Sequence, residues 1–228
     1  MTAKLKASVS LLALGVALAS GSALAYEKGD IVLRAGAAMV DPDEESSLIY
    51  AGGTGLPNTS VTVDDNVQLG LTGLYMVSNN IGVELLAATP FSHTVSAKGL
   101  EALNVDEVAD VKHLPPTVSV QYFPMSSDSA FQPYVGIGLN YTIFFDEEAT
   151  TSFEAAAGES SVDLDDSFGF AFQLGCDFAI SDNLVLNAAI WKVDIDTSAT
   201  IDTANLGVVT VDVDIDPMAY MLGVGYKF

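Results

Sequence analysis

The chain has a single cysteine, Cys176, in 228 residues. No intramolecular disulfide can form, and Cys176, set in an apolar stretch, reads as a small inert hydrophobe. Basic residues are scarce: eight Lys and Arg stand against 30 Asp and Glu. Nucleic acid is thereby excluded as a partner, because phosphate binding needs a basic surface. No segment past the N-terminal region offers about 18 continuous apolar residues, so no membrane helix is expected. Only two histidines are present, His93 and His113. Covalent catalysis needs a nucleophile and a base within hydrogen-bond reach. Ser92 and Thr94 flank His93, but neighbours in a strand point to opposite faces. No enzymatic activity is expected and no cofactor is implied. Two imidazoles near an outer rim are too few ligands to specify a metal.

What is present begins with a leader. Lys4 and Lys6 precede an apolar stretch at 9–19, and Ala23-Leu24-Ala25 is a small-residue cleavage site. This reads as a secretory signal peptide over residues 1–25, cut after Ala25. No cysteine follows the cut, so a lipoprotein anchor is not expected. Residues 26–228 carry six Lys and Arg against 30 Asp and Glu, a net charge of −24. Mean hydropathy is nonetheless positive, which implies that apolar and charged residues are segregated into zones.

The closing run 220–228, YMLGVGYKF, shows the apolar zone. Tyr220, Leu222, Val224, Tyr226 and Phe228 alternate with Met221, Gly223, Gly225 and Lys227. A period of two marks a strand with one greasy face. On a soluble sheet edge a terminal aromatic strand is a liability; in a transmembrane barrel that face meets lipid. Eight strands are expected, at 27–40, 66–77, 81–97, 111–124, 130–145, 166–180, 184–203 and 208–228. Tight polar turns at 78–80, 125–129 and 181–183 alternate with long connections at 41–65, 98–110 and 146–165. Short turns at one end and long loops at the other describe an all-β, eight-stranded, antiparallel transmembrane β-barrel of up-and-down topology, with both termini on the short-turn, periplasmic side. A soluble barrel would turn its apolar face inward. Here a narrow lumen accommodates the small and polar set more easily.

A turn at 205–207 would pair residues whose numbers sum to 412, placing Leu184 opposite Phe228 and Ile190 opposite Leu222 on the lipid face. Above them Asp194, Asp196, Asp212, Asp214 and Asp216 extend the same face into water, where ions screen stacked carboxylates. The inner face carries Asn187 low down and Trp191 with Met221 higher up, the candidate apolar pocket. Arg34, in Ile31-Val-Leu-Arg-Ala-Gly36, should face the lumen and needs a counter-charge, with Asp177 or Glu84 the candidates. It would brace the interior or set the electrostatics of a pore. Pro90 and Pro115–Pro116 fall at similar heights in the third and fourth strands, and proline cannot donate to a ladder. They make either a bulge that curves the wall or a seam through which an apolar solute leaves sideways.

Several blocks carry a resemblance: 81–91 (IGVELLAATPF), 113–117 (HLPPT), 133–142 (PYVGIGLNYT), Trp191 with 194–197 (DIDT), and 225–228 (GYKF). In this order they resemble the OmpW family of Gram-negative outer-membrane proteins. The resemblance implies a narrow, partly apolar lumen that passes small hydrophobic molecules, with an apolar pocket open to the outside and release into the bilayer. It also implies a constriction made by a Leu and a Trp, which by motif position are Leu85 and Trp191, although strand alternation turns Leu85 toward lipid. Other readings are a structural or stress-responsive surface barrel and a narrow ion channel. The expected partners are small hydrophobic solutes, outer-membrane lipid and lipopolysaccharide, and the barrel-assembly machinery through the C-terminal strand ending in Phe228. The acidic runs at 41–45, 146–148 and 163–166 lack the glycine and spacing of a calcium loop. They read as solvated loops, or as diffuse sites for divalent ions that bridge to lipopolysaccharide.

Overall fold

The computed structural model of the chain describes residues 26–100, 105–127 and 129–228. The expected leader, 1–25, lies outside the described residues. Eight antiparallel strands close a barrel: β1 (Ile31–Asp41), β2 (Asn66–Met76), β3 (Ile81–Ala88), β4 (Thr117–Tyr122), β5 (Phe131–Ala149), β6 (Ser167–Ala179), β7 (Leu184–Val193) and β8 (Met218–Lys227). Each pairs with the next, and β1 meets β8 from Val32↔Lys227 to Asp41↔Met218. Closure gives every barrel strand two neighbours, the condition for a sheet to cross lipid.

Alternation sets the two faces. On β6, Phe168, Phe170, Phe172 and Leu174 are all more than half exposed, while Ala171, Gln173 and Asp177 on the opposite face are buried. A greasy exterior around a polar interior inverts the soluble barrel and matches a bilayer solvent. The tight turns lie at one end as expected. Asn80 ties two of them together, donating from Nδ2 to Phe123 O at 2.7 Å.

Three expectations are corrected. First, the long connections are not irregular loops. Residues 41–65 contain four short strands, Glu45–Ser46, Tyr50–Ala51, Thr54–Gly55 and Ser60–Val63, and 146–165 contains a helix, Thr151–Ala157, and a strand, Ser160–Leu164. The helix starts at Thr150, whose hydroxyl accepts from Phe153 N, and it buries Phe153 and Ala157. Second, the closing hairpin pairs two residues away from the expected register: Leu184↔Tyr226, Ile190↔Tyr220 and Asp196↔Asp214. The turn is Ala204-Asn205-Leu206, fastened by Thr203, whose hydroxyl donates to Gly207 O at 2.8 Å and accepts from Leu206 N at 3.0 Å. A shift of two keeps every side chain on its face, so the lipid and lumen assignments survive while each cross-strand partner changes. Third, the hairpin is interrupted. Strands Asp196–Thr203 and Gly207–Asp214 are separate from β7 and β8. Pro217 supplies no ladder donor, and Asp216 sits at φ 39° with its carboxylate accepting from Ile195 N.

Above the barrel these strands form a collar. One sheet runs Ser160–Leu164, Asp196–Thr203, Gly207–Asp214, Tyr50–Ala51, Thr54–Gly55. Opposite it, Ser60–Val63, Phe91–Lys98 and Glu107–Leu114 continue onto the upper part of β5. The acidic collar strands alternate too: Val209, Val211 and Val213 are buried while Thr210, Asp212 and Asp214 face out.

Candidate functional site

The lower lumen is filled. Arg34 on β1 reaches Asp177 on β6 with two bonds, Nε to Oδ1 at 3.1 Å and an Nη2 contact to Oδ2 at 2.5 Å, and Glu84 on β3 at 2.7 Å. The two-pronged geometry is the strong form of a guanidinium–carboxylate pair. Gln173 donates to Glu84 at 2.9 Å and Gln121 donates to Gln173 at 2.9 Å. Asn187 donates to Asp177 at 2.8 Å and to the Tyr134 hydroxyl at 2.9 Å. Tyr26 closes the set from below, its hydroxyl donating to Asp177 at 2.5 Å and its ring packing edge-on against Phe123. All of these side chains are buried. Buried charge is costly unless paired and fully bonded, and here the carboxylates share donors from three strands, β1, β6 and β7, and from the N-terminal segment. Gly225 belongs to the same arrangement, since a Cβ there would collide with the Arg34 stem and Val185.

Higher up the interior is hollow and apolar. A cavity of about 120 Å³ lies within the collar, walled by Ile49, Val61, Val111, Phe153, Ile201 and Val211 among others. A smaller one of about 40 Å³ lies beneath it, against Leu86, Ala88, Phe91, Pro115, Trp191 and Ala219. Val40, His113, Ile195 and Pro217 border both and form a neck between them.

The site residues expected from sequence divide accordingly. Arg34 and Asn187 sit in the polar plug, and both Asp177 and Glu84 are counter-charges to Arg34. Trp191 is 2% exposed and lines the smaller cavity. Met221 is buried but borders neither cavity; it packs in the core with Trp191 and Ala189, and the register shift makes Ala189 its partner. Leu85 is corrected: it is 52% exposed on the lipid face, as alternation requires, and Leu86 is the residue that reaches the cavity.

Pro90, Pro115 and Pro116 coincide with a gap in the wall. The β3–β4 ladder ends at Leu86↔Thr117, and pairing resumes at Phe91↔His113 between the collar strands. Residues 87–90 and 114–116 between these points have no partners across the gap in either ladder. Ala87, Ala88 and Pro115 on its two banks border the smaller cavity. On the other side of the same segment, β5 still holds on, with Tyr141 N donating to Pro116 O at 3.1 Å.

The two histidines come together where sequence offered no distance. Their Nε2 atoms are 3.0 Å apart, and His93 Nδ1 lies 2.6 Å from the carbonyl of Asp64. Burial lowers the His93 pKa against a smaller upward pull from Asp64. Burial, with His93 adding to it, brings His113 down to about 3. Outside the collar, Asp194, Asp196 and Asp216 bring carboxylate oxygens within 4.8 Å of one another. Partial desolvation, then Asp194, Asp214 and Asp216, hold Asp196 above the usual carboxylate range.

Sequence reasoning did not single out Tyr26, Gln121, Tyr134, Gln173 or the inward valines of the collar. For all but Tyr26, which precedes β1, the signal was parity alone: each lies an even number of residues from an inward neighbour on its own strand.

A closed eight-stranded barrel with a lipid-facing exterior, short turns at one end and a folded collar at the other is a transmembrane β-barrel of the bacterial outer-membrane type. Residues 27–228 match the model of the OmpW family, and the chain belongs to that family. It is 42% identical over 227 residues to outer membrane protein W of Vibrio cholerae serotype O1, covering 98% of this chain and 100% of that one. Outer membrane protein AlkL of Ectopseudomonas oleovorans is 29% identical over 206 residues, 89% of this chain and 84% of that one. Among solved structures, the crystal structure of OprG from Pseudomonas aeruginosa superposes with a TM-score of 0.85 at 46% identity, over 90% of this chain and 98% of that chain. The protein resides in the outer membrane, its collar outside and its short turns on the periplasmic side.

Proposed function

We propose that the barrel passes small hydrophobic molecules passively from the outside into the bilayer. The observation that carries this reading is the contrast between a hollow apolar upper lumen and a polar, filled lower one. A solute enters the collar cavity, crosses the neck to the smaller cavity beside Trp191, and leaves sideways through the gap at Pro90, Pro115 and Pro116. The plug supports the sideways route, because straight passage would require breaking the Arg34 network. It weighs equally against a narrow ion channel. A purely structural barrel would be served by the plug as well, but it has no use for an apolar hollow opening onto a wall gap. No catalytic step belongs to this reading: the histidines bond each other and Asp64. Tyr226 and Phe228, in edge-on contact at the end of β8, form the handle for the assembly machinery. The acidic collar surface meets lipopolysaccharide through divalent ions.

Uptake of a hydrophobic fluorophore into proteoliposomes tests the reading. A covalent cross-link across the gap, between engineered cysteines at Ala87 and Pro116 in a Cys176→Ser background, should reduce uptake severalfold, and reduction should restore it. Trp191→Ala should change the rate. Uptake unaltered by both changes would refute the route.

A further inference from the structure

Two buried polar atoms beside the smaller cavity have no hydrogen-bond partner among the described residues: His113 Nδ1 and Trp191 Nε1. Both side chains line that cavity. A third such atom, Gln121 Oε1, belongs to the plug below. Thr117, also on the cavity wall, is satisfied: it donates to Pro115 O at 3.1 Å and accepts from Asn140 at 3.0 Å.

The hydrogen on His113 can be placed by working inward from Asp64. A backbone carbonyl only accepts, so His93 Nδ1 carries a hydrogen and donates to it. Both imidazoles are neutral at pH 7, since burial lowers each. Neutral His93 therefore has a bare Nε2, and His113 Nε2–H donates to it across 3.0 Å. That leaves His113 Nδ1 with a lone pair and no hydrogen. Indole Nε1 can only donate. One unmet acceptor and one unmet donor thus lie, closed over, in side chains that wall an otherwise apolar space, and each costs free energy until it is answered.

We propose that the smaller cavity binds the O–H head of an otherwise apolar solute, an alcohol or an un-ionised carboxylic acid. Trp191 donates to the hydroxyl or carbonyl oxygen, and the O–H donates to His113 Nδ1. The apolar chain lies across the neck in the larger cavity. His113 is too weakly basic to take the proton of a carboxylic acid, so an acid that enters un-ionised stays so. A hydrocarbon fills the same space and answers neither atom; an ether or ester answers only Trp191. This rests on the capture step of the proposed function and narrows it to a substrate class.

Trp191 is the only tryptophan in the chain, so its emission reports from the cavity. The full-length mature protein in nanodiscs is titrated with octane, 1-methoxyheptane and 1-octanol at matched bilayer mole fractions. Octanoic acid and its methyl ester form the carboxyl arm. Each O–H compound should bind roughly fivefold more tightly than its O-methyl partner. His113→Phe should bring the O–H compound down to its partner's level and leave that partner unchanged. Preference within one pair alone assigns the head to that class. The wild-type protein gives an independent measurement: the His113 Nδ1 15N resonance should be that of a bare nitrogen and should move with octanol but not with octane. Equal binding within both pairs, a preference that persists in His113→Phe, or a protonated Nδ1 would overturn the proposal while leaving hydrophobic capture in place. No response of Trp191 to any compound would remove the capture reading as well.

Discussion

From the level of Trp191 down the barrel holds Arg34, Glu84, Gln121, Gln173, Asp177 and Asn187; above it the same strands and their extensions enclose valines, alanines and two histidines. Paired strands enclose both regions, so the difference lies in every second side chain. Low in the barrel the inward residues are long and polar, and they meet across the lumen. Higher up Ala38, Ala88 and Ala219 are too short to meet, and space opens between them. The comparison shows that a barrel of fixed strand number can be plugged and hollow at once, the boundary being set by side-chain length at alternate positions.

The largest expected effect comes from emptying the plug of its cation. Arg34→Leu leaves two carboxylates buried without their partner, and breaking a buried pair this way costs about 3–5 kcal/mol. Urea titration of the barrel in lipid vesicles, read as the gel-mobility difference between folded and unfolded forms, should show that loss. A shift below about 1 kcal/mol would mean the plug does not hold the lower half together.

The upper half should respond instead to pH. His93 and His113 are lowered in the folded state, so they contribute stability above the unfolded histidine value of about 6.5. As pH falls below that value the unfolded chain takes up protons first, and the contribution is lost progressively down to about 3 for His113. Amide protection along Phe91–Lys98 and Glu107–Leu114, corrected for the intrinsic pH dependence of exchange, should fall through that window more than protection in β7. An equal fall in both would break the comparison.

A smaller effect separates adjacent leucines. Leu86→Ala enlarges the smaller cavity and should alter solute uptake, with a stability loss of about 2 kcal/mol. Leu85→Ala trims a lipid-facing side chain and should leave uptake within twofold. The reverse order would restore the constriction role to Leu85. Least of all, Asp196→Asn removes a repelled carboxylate from the collar surface. It should raise stability at pH 7 by less than about 1 kcal/mol after solvent screening. That gain should vanish in acid, where the native carboxyl is protonated and the repulsion is already relieved.

Arg34 and its counter-charges were readable because a lone cation in an alternating apolar run has one place to go, and Glu84 and Asp177 share that facing. Leu85 shows two signals in conflict: motif position pointed inward, alternation pointed to lipid, and alternation held. The hairpin register was beyond periodicity, since a shift of two residues leaves every face unchanged and only the Thr203 turn bonds decide between the alternatives. The collar was hidden by its charge. Its aspartates dominated the reading of the upper strands, although Val209, Val211 and Val213 between them build the cavity wall. The meeting of His93 and His113 depends on how the third and fourth strands fold past their prolines, which no local pattern encodes.

Tyr26 fastens the start of the described chain to its middle. Its hydroxyl is bonded to Asp177, 151 positions away, and the same carboxylate holds Arg34. The segment before β1 is thereby drawn into the lumen, and one side chain closes most of the barrel's length into a loop that no covalent link makes.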